Sequence, residues 1–173
     1  MKEDEKRVWG IRAGRGGCAH DVFMDGGVIV LEDAEMGNLS DLERTRDAFN
    51  STYRRWHPDA TRTGSAGIAG KFFRFFTEMS KGDLVAYPAR ADKQVYIGEI
   101  IGDYEFDAGS DYPHRRRVKW QFVIPKSELS MQAQFELGAA RTLFEFKRNR
   151  DELLKRISVE GVTRFKPKSK SKA

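Results

Sequence analysis

A short apolar strand that runs directly into a glycine-rich loop is the feature that most constrains the fold of this chain. Residues 7–13 (Arg-Val-Trp-Gly-Ile-Arg-Ala) carry β-branched and aromatic side chains, and glycines follow at positions 14, 16 and 17. Glycine adopts backbone conformations closed to other residues and lets the main chain approach a neighbouring group closely. The segment therefore predicts a strand that delivers Trp9 and Arg12 to a loop able to contact a ligand through its backbone.

A second segment, residues 82–90 (Gly-Asp-Leu-Val-Ala-Tyr-Pro-Ala-Arg), has a related character, because an apolar strand ends at Tyr87 and Arg90 follows just beyond it. An aromatic ring and a guanidinium beside a glycine-rich rim suit a flat heterocycle that lies next to a phosphate. The two segments together predict a pocket that reads a nucleobase. The alternative is that Trp9 lies in the core and the glycines form an ordinary turn, since both are common in small domains.

The composition fits one soluble globular domain. With 173 residues, of which 39% are hydrophobic, the chain can form one core, and no apolar run approaches the roughly 20 residues of a membrane span. The charged N-terminus lacks the apolar stretch of a secretory signal, so we expect a cytoplasmic protein. The single cysteine, Cys18, cannot form an intramolecular disulfide, and the three histidines show no zinc-ligand spacing. We therefore expect neither a metal nor another cofactor.

Much of the positive charge lies in one short segment. The formal net charge is +5, and residues 164–173 (Arg-Phe-Lys-Pro-Lys-Ser-Lys-Ser-Lys-Ala) carry five cations and no acid, which leaves residues 1–163 formally neutral. We predict a folded domain at 1–163 and a disordered basic tail or linker at 164–173. A nucleic-acid footprint in the folded part must then be a local patch.

Hydrophobic patterning predicts strands with helices inserted between them. The expected strands are residues 7–13, 27–32, 83–89, 94–104 and 116–123, with a candidate sixth at 142–146. The pattern favours an α+β fold, in the form of a small curved, mostly antiparallel β-barrel with flanking and inserted helices.

The helices are predicted from caps and from helical spacing. A capping box at Ser40 and Glu43 begins the first, which ends before His57. The second carries a stripe of apolar residues on one face and reaches to Lys81-Gly82. The members of this stripe, interpreted as core, are Ile68, Phe72, Phe75, Phe76 and Met79. Two further helices are expected near 127–137 and 149–158.

Several short motifs stand in order along residues 7–158. They are Trp-Gly-Ile-Arg-Ala-Gly at 9–14, Asp21 with Phe23, Met-Gly-Asn-Leu-Ser at 36–40, Gly-Asp-Leu-Val-Ala-Tyr-Pro at 82–88, Tyr-Ile-Gly-Glu-Ile at 96–100 and His-Arg-Arg-Arg-Val-Lys-Trp at 114–120. In these motifs the chain resembles the N-terminal domain of Mrr-like restriction endonucleases, which is similar to the EVE and YTH branch of the PUA-like superfamily. The resemblance implies a curved β-barrel that holds one nucleobase, often a modified one, in an aromatic cage.

The chain departs from this pattern at one place. The resemblance predicts a Gly-Trp pair after the apolar strand at 27–32, whereas Glu32 and Asp33 occupy the matching positions. If that Trp forms a cage wall in the family, either Trp56 substitutes for it or the pocket prefers another ligand.

The expected base pocket comprises seven residues. They are Trp9, Arg12, Gly14, Asp21, Trp56, Tyr87 and Arg90. The rings would restore the stacking that a flipped base loses, Asp21 would accept a bond from an exocyclic amine, and the two arginines would donate to a carbonyl or a phosphate. The alternatives are that Trp9 and Tyr87 are plain core residues, that Asp21 caps a turn, and that Trp56 packs under the following loop.

Two basic clusters are candidate phosphate contacts. Arg54 and Arg55 precede Trp56 at a helix end, while Arg115 and Arg117 lie on one side of a predicted strand whose Arg116 points the other way. A solvated edge strand protected by charge explains the second cluster equally well.

No catalytic centre is expected. Glu145-Phe-Lys147 matches half of a metal-dependent nuclease site, but a match of this length arises by chance in so charged a chain. The resemblance places any nuclease in a separate domain or a partner.

Three hypotheses remain. The favoured one is a reader of a modified or flipped base in DNA, acting as the targeting part of a modification-dependent restriction system. The second is an RNA-binding PUA-like module that ignores DNA methylation. The third is a protein-interaction domain whose basic tail is its only contact with nucleic acid.

Overall fold

The computed structural model describes residues 6–139 and 141–167. It is a mixed α+β fold whose eight-stranded sheet is curled into a half-barrel. The strands are β1 (Val8–Ile11), β2 (Val28–Leu31), β3 (Leu84–Pro88), β4 (Gln94–Ile100), β5 (Glu105–Phe106), β6 (His114–Pro125), β7 (Leu143–Glu145) and β8 (Thr163–Arg164). The α-helices are α1 (His20–Gly26), α2 (Arg46–Trp56), α3 (Arg62–Phe73), α4 (Met131–Leu137) and α5 (Arg150–Ser158). Among these residues, no helix has both the length and the apolar character needed to cross a membrane.

The sheet is organised on its longest strand, β6. The strand order is β2-β6-β4-β3-β1-β7, and both β5 and β8 pair with β6 as well. All of these pairs are antiparallel except that of β1 with β3. The predicted α+β class and the predicted curved, mostly antiparallel sheet are confirmed, and the half-barrel is compatible with the predicted small barrel.

A bulge between β4 and β6 contributes to the curl. Gln121 is the extra residue of β6 at this point, and a β-bulge bends its strand and increases the local twist. Gly98 lies opposite the bulge. A Cβ atom there would stand 2.4 Å from the side chain of Val118 and 2.8 Å from that of Trp120, so a larger residue would push β4 away from β6.

Helix α2 begins later than the capping box at Ser40 and Glu43 predicts. Thr45 is the cap, and its Oγ1 accepts a hydrogen bond from the N–H of Ala48 at 3.1 Å. Ser40 lies instead in a 3₁₀ turn, where its N–H donates to Asn38 Oδ1. The prediction is wrong because serine and threonine are both good cap residues, and the path of the preceding loop decides between them. The predicted end before His57 is confirmed.

Helix α3 continues into one π-helical turn at Arg74–Glu78. The four C-terminal members of the predicted apolar stripe are buried, which confirms their place in the core. Its first member, Ile68, is 37% exposed, because α3 borders an open cleft at that point.

Hydrophobic clusters cover both faces of the sheet. One cluster contains Trp9 and Val85 together with residues of α1, α2 and α3. The other contains Val8 and Leu84 together with residues of α4 and α5. Successive side chains of a strand point to opposite faces, so neighbouring residues of β1 enter different clusters. This double burial explains why β1 is apolar throughout.

The folded part extends beyond the predicted boundary at residue 163. Arg164 pairs with Phe122 of β6, and the ring of Phe165 lies 6.0 Å from that of Tyr96. Arg164 therefore belongs to the sheet and not to a disordered tail. The rest of the predicted tail, at 168–173, lies outside the described residues.

A buried histidine links the sheet to the loop after β2. The Nε2–H of His114 donates to the carbonyl oxygen of Asp33 at 3.0 Å, and its Nδ1 accepts from the Tyr104 hydroxyl at 2.7 Å. A carbonyl oxygen can only accept, so Nε2 carries a proton, and in the neutral ring Nδ1 is then left to accept from the Tyr104 hydroxyl. Burial lowers the pKa of His114, and the bond to Asp33 opposes this shift.

We expect His114 to make the folded protein sensitive to acid. Its pKa lies below the ordinary 6.5 only in the folded state, so the unfolded chain gains a proton below that pH that the folded protein does not. Stability is therefore lost as the pH falls, by at most about 1.4 kcal/mol per pH unit. Urea unfolding between about pH 7.5 and pH 5 measures this loss.

The variant His114→Gln should flatten this dependence, while His57→Gln, which removes a half-buried imidazole outside the core, should retain it. Equal loss of unfolding free energy in wild type and His114→Gln over that range would contradict the prediction.

Candidate functional site

An open cleft of about 1250 Å³ lies where several strands deliver the loops that follow them. Strands β1 and β3 are parallel, so the loops after them, at 12–17 and 88–94, meet at the same edge of the sheet. Glu32 and Asp33 enter from the loop after β2. Residues of α2, α3 and α4 complete the walls.

The lining is rich in charge, and its balance is positive. Among the described residues, six cationic and three acidic side chains face the cleft. The cations are Arg12, Arg15, Lys71, Arg90, Lys93 and Lys126, and the acids are Glu32, Asp33 and Asp92. Because residues 1–163 are formally neutral as a whole, this positive excess is local to the cleft.

The glycine loop brings the main chain and a carboxylate together. Gly14 has a φ of 71°, and a Cβ atom there would stand 2.7 Å from Cys18 Sγ and 2.8 Å from Glu32 Oε1. Glycine alone combines this left-handed backbone with so close an approach at little cost. The carboxylate of Glu32 consequently lies against the backbone of the loop.

Asp33 shares one end of the cleft with a half-buried lysine. Its φ is 72°, a conformation that few residues other than glycine adopt, and the bond from His114 to its carbonyl oxygen holds it there. Its Oδ2 lies 3.9 Å from the Nζ of Lys71, whose side chain is only 20% exposed. Burial lowers the pKa of Lys71, and the charges of Asp33 and Glu32 oppose that shift. A cation and two carboxylates therefore lie together at this end.

Aromatic rings border the cleft on two sides. Tyr53 and His57 stack with their ring centroids 4.3 Å apart, and His57 Nε2 lies 3.1 Å from a carboxylate oxygen of Glu35. Tyr112 donates its hydroxyl to Cys18 Sγ at 3.3 Å. This bond, together with desolvation, raises the pKa of Tyr112 to about 12, so its hydroxyl stays protonated at neutral pH.

Four of the seven predicted base-pocket residues line the cleft, namely Arg12, Gly14, Tyr87 and Arg90. Arg12 donates to the carbonyl oxygens of Gly138 and Ala139, at 3.2 and 2.5 Å, which fastens the glycine loop to the end of α4. Tyr87 is 2% exposed, and its hydroxyl lies 2.6 Å from His20 Nδ1. Little of the Tyr87 ring is therefore available for stacking.

The other three predicted pocket residues lie elsewhere. Trp9 is fully buried and its Nε1–H donates to Asp83 Oδ2 at 3.0 Å, so it is a core residue and its assignment to the pocket is wrong. Asp21 is exposed in the first turn of α1, and Trp56 is 59% exposed at the end of α2. Neither lines the cleft, so Trp56 does not replace a missing wall there.

The predicted phosphate contacts do not line the cleft either. Arg54 and Arg55 are exposed on α2. Arg117 is exposed on β6, where its Nε lies 3.5 Å from Glu105 Oε1. These arginines project into solvent from the outside of the fold.

Arg115 and Arg116 point to opposite sides of β6, as predicted. Arg115 donates to the carbonyl oxygen of Tyr112 at 3.2 Å and thereby holds the loop that carries this ring. Arg116 is buried and donates to the carbonyl oxygens of Phe75 and Phe76 in the π-helical turn. Both side chains therefore hold main-chain segments of the fold in place.

Several lining residues escape prediction from the sequence. Lys71 sits within an apolar stripe of α3, His57 reads only as a helix end, and Tyr112 follows a turn segment. No spacing connects them, because the curl of the sheet and the packing of helices bring them together. The one available signal is the pair Glu32-Asp33, two charges placed directly after a buried strand.

The segment Glu145-Phe-Lys147 lies away from the cleft. The carboxylate of Glu145 is 3.8 Å from Arg7 and 3.7 Å from Lys147. Throughout residues 6–139 and 141–167, no group of three or more His, Cys, Asp or Glu side chains is placed to hold a metal ion.

Neither curated proteins nor solved structures gave a match to the chain. A family described as "Domain of unknown function (DUF8426)" matches residues 9–147, a range that contains every residue lining the cleft. The chain belongs to this DUF8426 family.

Proposed function

We propose that this domain binds nucleic acid and holds one base, taken out of its stack, in the cleft. The observation that carries the proposal is the convergence of three segments: the glycine loop after β1, the acidic pair after β2, and residues 87–90 at the end of β3. They supply main-chain groups, carboxylate acceptors and a cation, which together match the edge of a base and its phosphate.

Stacking and edge contacts both have a source in the cleft. A flipped base loses about a few kcal/mol of stacking, which the pocket must restore. His57 and Tyr112, which are only partly buried, offer aromatic surface for this purpose. Glu32 and Asp33 accept hydrogen bonds, which favours a base with an exocyclic amine, such as cytosine or adenine, over one that presents only carbonyls.

The charge of the cleft favours a polyanion. Arg15, Arg90 and Lys93 are exposed at its mouth, where they can reach the phosphates on either side of a flipped nucleotide. Since residues 1–163 are formally neutral, these cations direct a nucleic acid to the cleft rather than to the whole surface.

We propose a modified base in DNA as the ligand, with the domain acting without catalysis as the targeting part of a restriction system. Its motifs resemble the N-terminal domain of Mrr-like endonucleases, and any nuclease would lie in another domain or a partner. A PUA-like barrel of the EVE and YTH type is the fold that this function implies, and the curled antiparallel sheet is compatible with it.

We expect the chain to bind one modified duplex more tightly than its unmodified counterpart. The test uses matched duplexes with cytosine, methylcytosine, hydroxymethylcytosine or methyladenine, at one fixed salt concentration. Tyr112→Ala should weaken binding of the preferred duplex about tenfold or more, because stacking on an aromatic ring is worth about 1–3 kcal/mol per base. Trp56→Ala removes an exposed ring outside the cleft and should leave the ratio of the two dissociation constants unchanged.

Equal binding of all four duplexes would contradict a reader of modified DNA, and tighter binding of single-stranded RNA would assign the cleft to RNA. A chain without residues 168–173 serves as the control for the basic tail, because Arg164 must stay in the sheet. If that shortened chain no longer bound any duplex, the tail and not the cleft would be the nucleic-acid contact.

We expect Gly14→Ala to impair binding more than Gly16→Ala. Both glycines have positive φ values, 71° and 66°, but the ψ of −176° places Gly14 in a region that is nearly exclusive to glycine. Gly14→Ala should therefore cost about 1–3 kcal/mol in stability, and Gly16→Ala about 1–2 kcal/mol. Only at Gly14 does the new Cβ atom meet the carboxylate of Glu32, whereas nothing lies within 4 Å at Gly16. Urea unfolding of both variants measures the cost of backbone strain, and duplex binding measures the additional effect of displacing the Glu32 carboxylate. Equal losses of binding would show that the position of Glu32 is not used.

A further inference from the structure

A second cavity, of about 320 Å³, lies beside the cleft and shares part of its wall. Lys71 and Thr142 border both spaces. The outer wall is formed by small residues of α3, Ala66 and Gly67, and the remaining charged side chains of the lining are Arg74 and Arg141. We call this space the anion pocket.

Positive charge is concentrated around the anion pocket. Lys71, Arg74 and Arg141 line it, and among the described residues no acidic side chain does. A fourth cation stands behind them, because a Cβ atom built on Gly70 would lie 3.3 Å from Arg46 Nη1 and 3.7 Å from Arg74 Nη1. Both guanidinium groups therefore lie against the same point of α3.

The acidic neighbours leave most of this charge uncompensated. Glu78 accepts a hydrogen bond from Arg46 at 2.9 Å, and Asp33 lies 3.9 Å from Lys71. Within the described part of the chain, no hydrogen bond or ion pair involves the guanidinium group of Arg74 or Arg141. Two arginines with free donors thus face one small cavity.

The electrostatic effect of this arrangement is visible at Arg74. Burial lowers the pKa of its guanidinium, the positive charges of Arg46 and Arg141 add to the shift, and Glu78 opposes it. Like charges held together in a partly desolvated place are unfavourable unless an anion joins them. An anion with several acceptor oxygens would satisfy the free arginine donors and relieve the repulsion in one step.

The pocket has room for such a group. A Cβ atom added at Gly67 would meet nothing within 4 Å, so the space in front of this turn of α3 is open. The hydroxyl of Thr142 adds a further possible donor on the side of the cleft.

We propose that the anion pocket binds a phosphoryl group through Lys71, Arg74 and Arg141. Phosphate binding as such does not depend on the function proposed for the cleft. Its link to nucleic acid does rest on that function, and there the group is a backbone phosphate of the strand whose base enters the neighbouring cleft.

Inorganic phosphate is the first probe, used with the full chain. We expect the midpoint of thermal unfolding to rise with phosphate more than with chloride at equal ionic strength, because a ligand bound only by the folded state stabilises it. Arg141→Gln should weaken phosphate binding by about tenfold or more, because it removes a charged donor of hydrogen bonds to the phosphate oxygens. Arg62→Gln removes an exposed cation of α3 outside the pocket and should bind phosphate as the wild type does.

A second pair of variants tests the charge without removing an arginine. Gly67 lines the pocket, so Gly67→Glu adds a carboxylate at its wall and should weaken phosphate binding. Comparison with Gly67→Ala separates this charge from the added volume. Equal stabilisation of the wild type by phosphate and chloride would overturn the proposal. So would phosphate binding that survives unchanged in both Arg141→Gln and Gly67→Glu.

An oligonucleotide arm separates the two proposals. With the preferred duplex, Arg141→Gln should lower the salt dependence of binding by about one phosphate contact while the preference for the modified base remains. If phosphate binds but no duplex shows a base preference, the anion pocket stands and the proposed function fails. If a duplex binds with a base preference and phosphate has no specific effect, the anion pocket fails alone.

Discussion

The structure depends on hydrogen bonds from polar side chains that β6 turns into the core. Its inward face carries three buried polar side chains at alternate positions of the strand, namely His114, Arg116 and Trp120. Each donates to main-chain carbonyl oxygens of a different element, namely Asp33 after β2, Phe75 and Phe76 in the π-helical turn, and Phe23 in α1. An unbonded polar group in a core costs about 1–3 kcal/mol, so these donors constrain where the three segments can lie. One strand therefore sets both the sheet and the layer packed on it.

The cleft inherits its geometry from this network. Because His114 fixes the carbonyl oxygen of Asp33, the acidic end of the cleft is anchored to the core rather than to a free loop. Asp33 has a left-handed backbone, with a φ of 72°, and such uncommon conformations are frequent at binding sites. The carboxylates are thus presented in a fixed place before any ligand arrives, which reduces the ordering cost of binding.

The sequence predicts the sheet better than the site, for a physical reason. Strands β3 and β4 follow from local runs of apolar and β-branched residues, whose burial is a property of each segment alone. Trp9 is assigned to the pocket because burial on both faces of β1 leaves no polar alternation to reveal its direction. The charge of Lys71 is evident from the sequence, but its role is not, because its acidic neighbours Glu32 and Asp33 come from a distant segment. The tail boundary is missed because a two-residue strand such as β8 has no periodicity to detect.

Cys18 gives this arrangement a practical use. It is the only cysteine of the chain, it is exposed, and its sulfur lies 3.3 Å from the Tyr112 hydroxyl and beside the carboxylate of Glu32. A thiol-reactive fluorophore would therefore attach at a single known position, between the glycine loop and the Tyr112 ring. A label on Cys18 would report spectroscopically on ligands that enter the cleft, and a bulky label would block their entry.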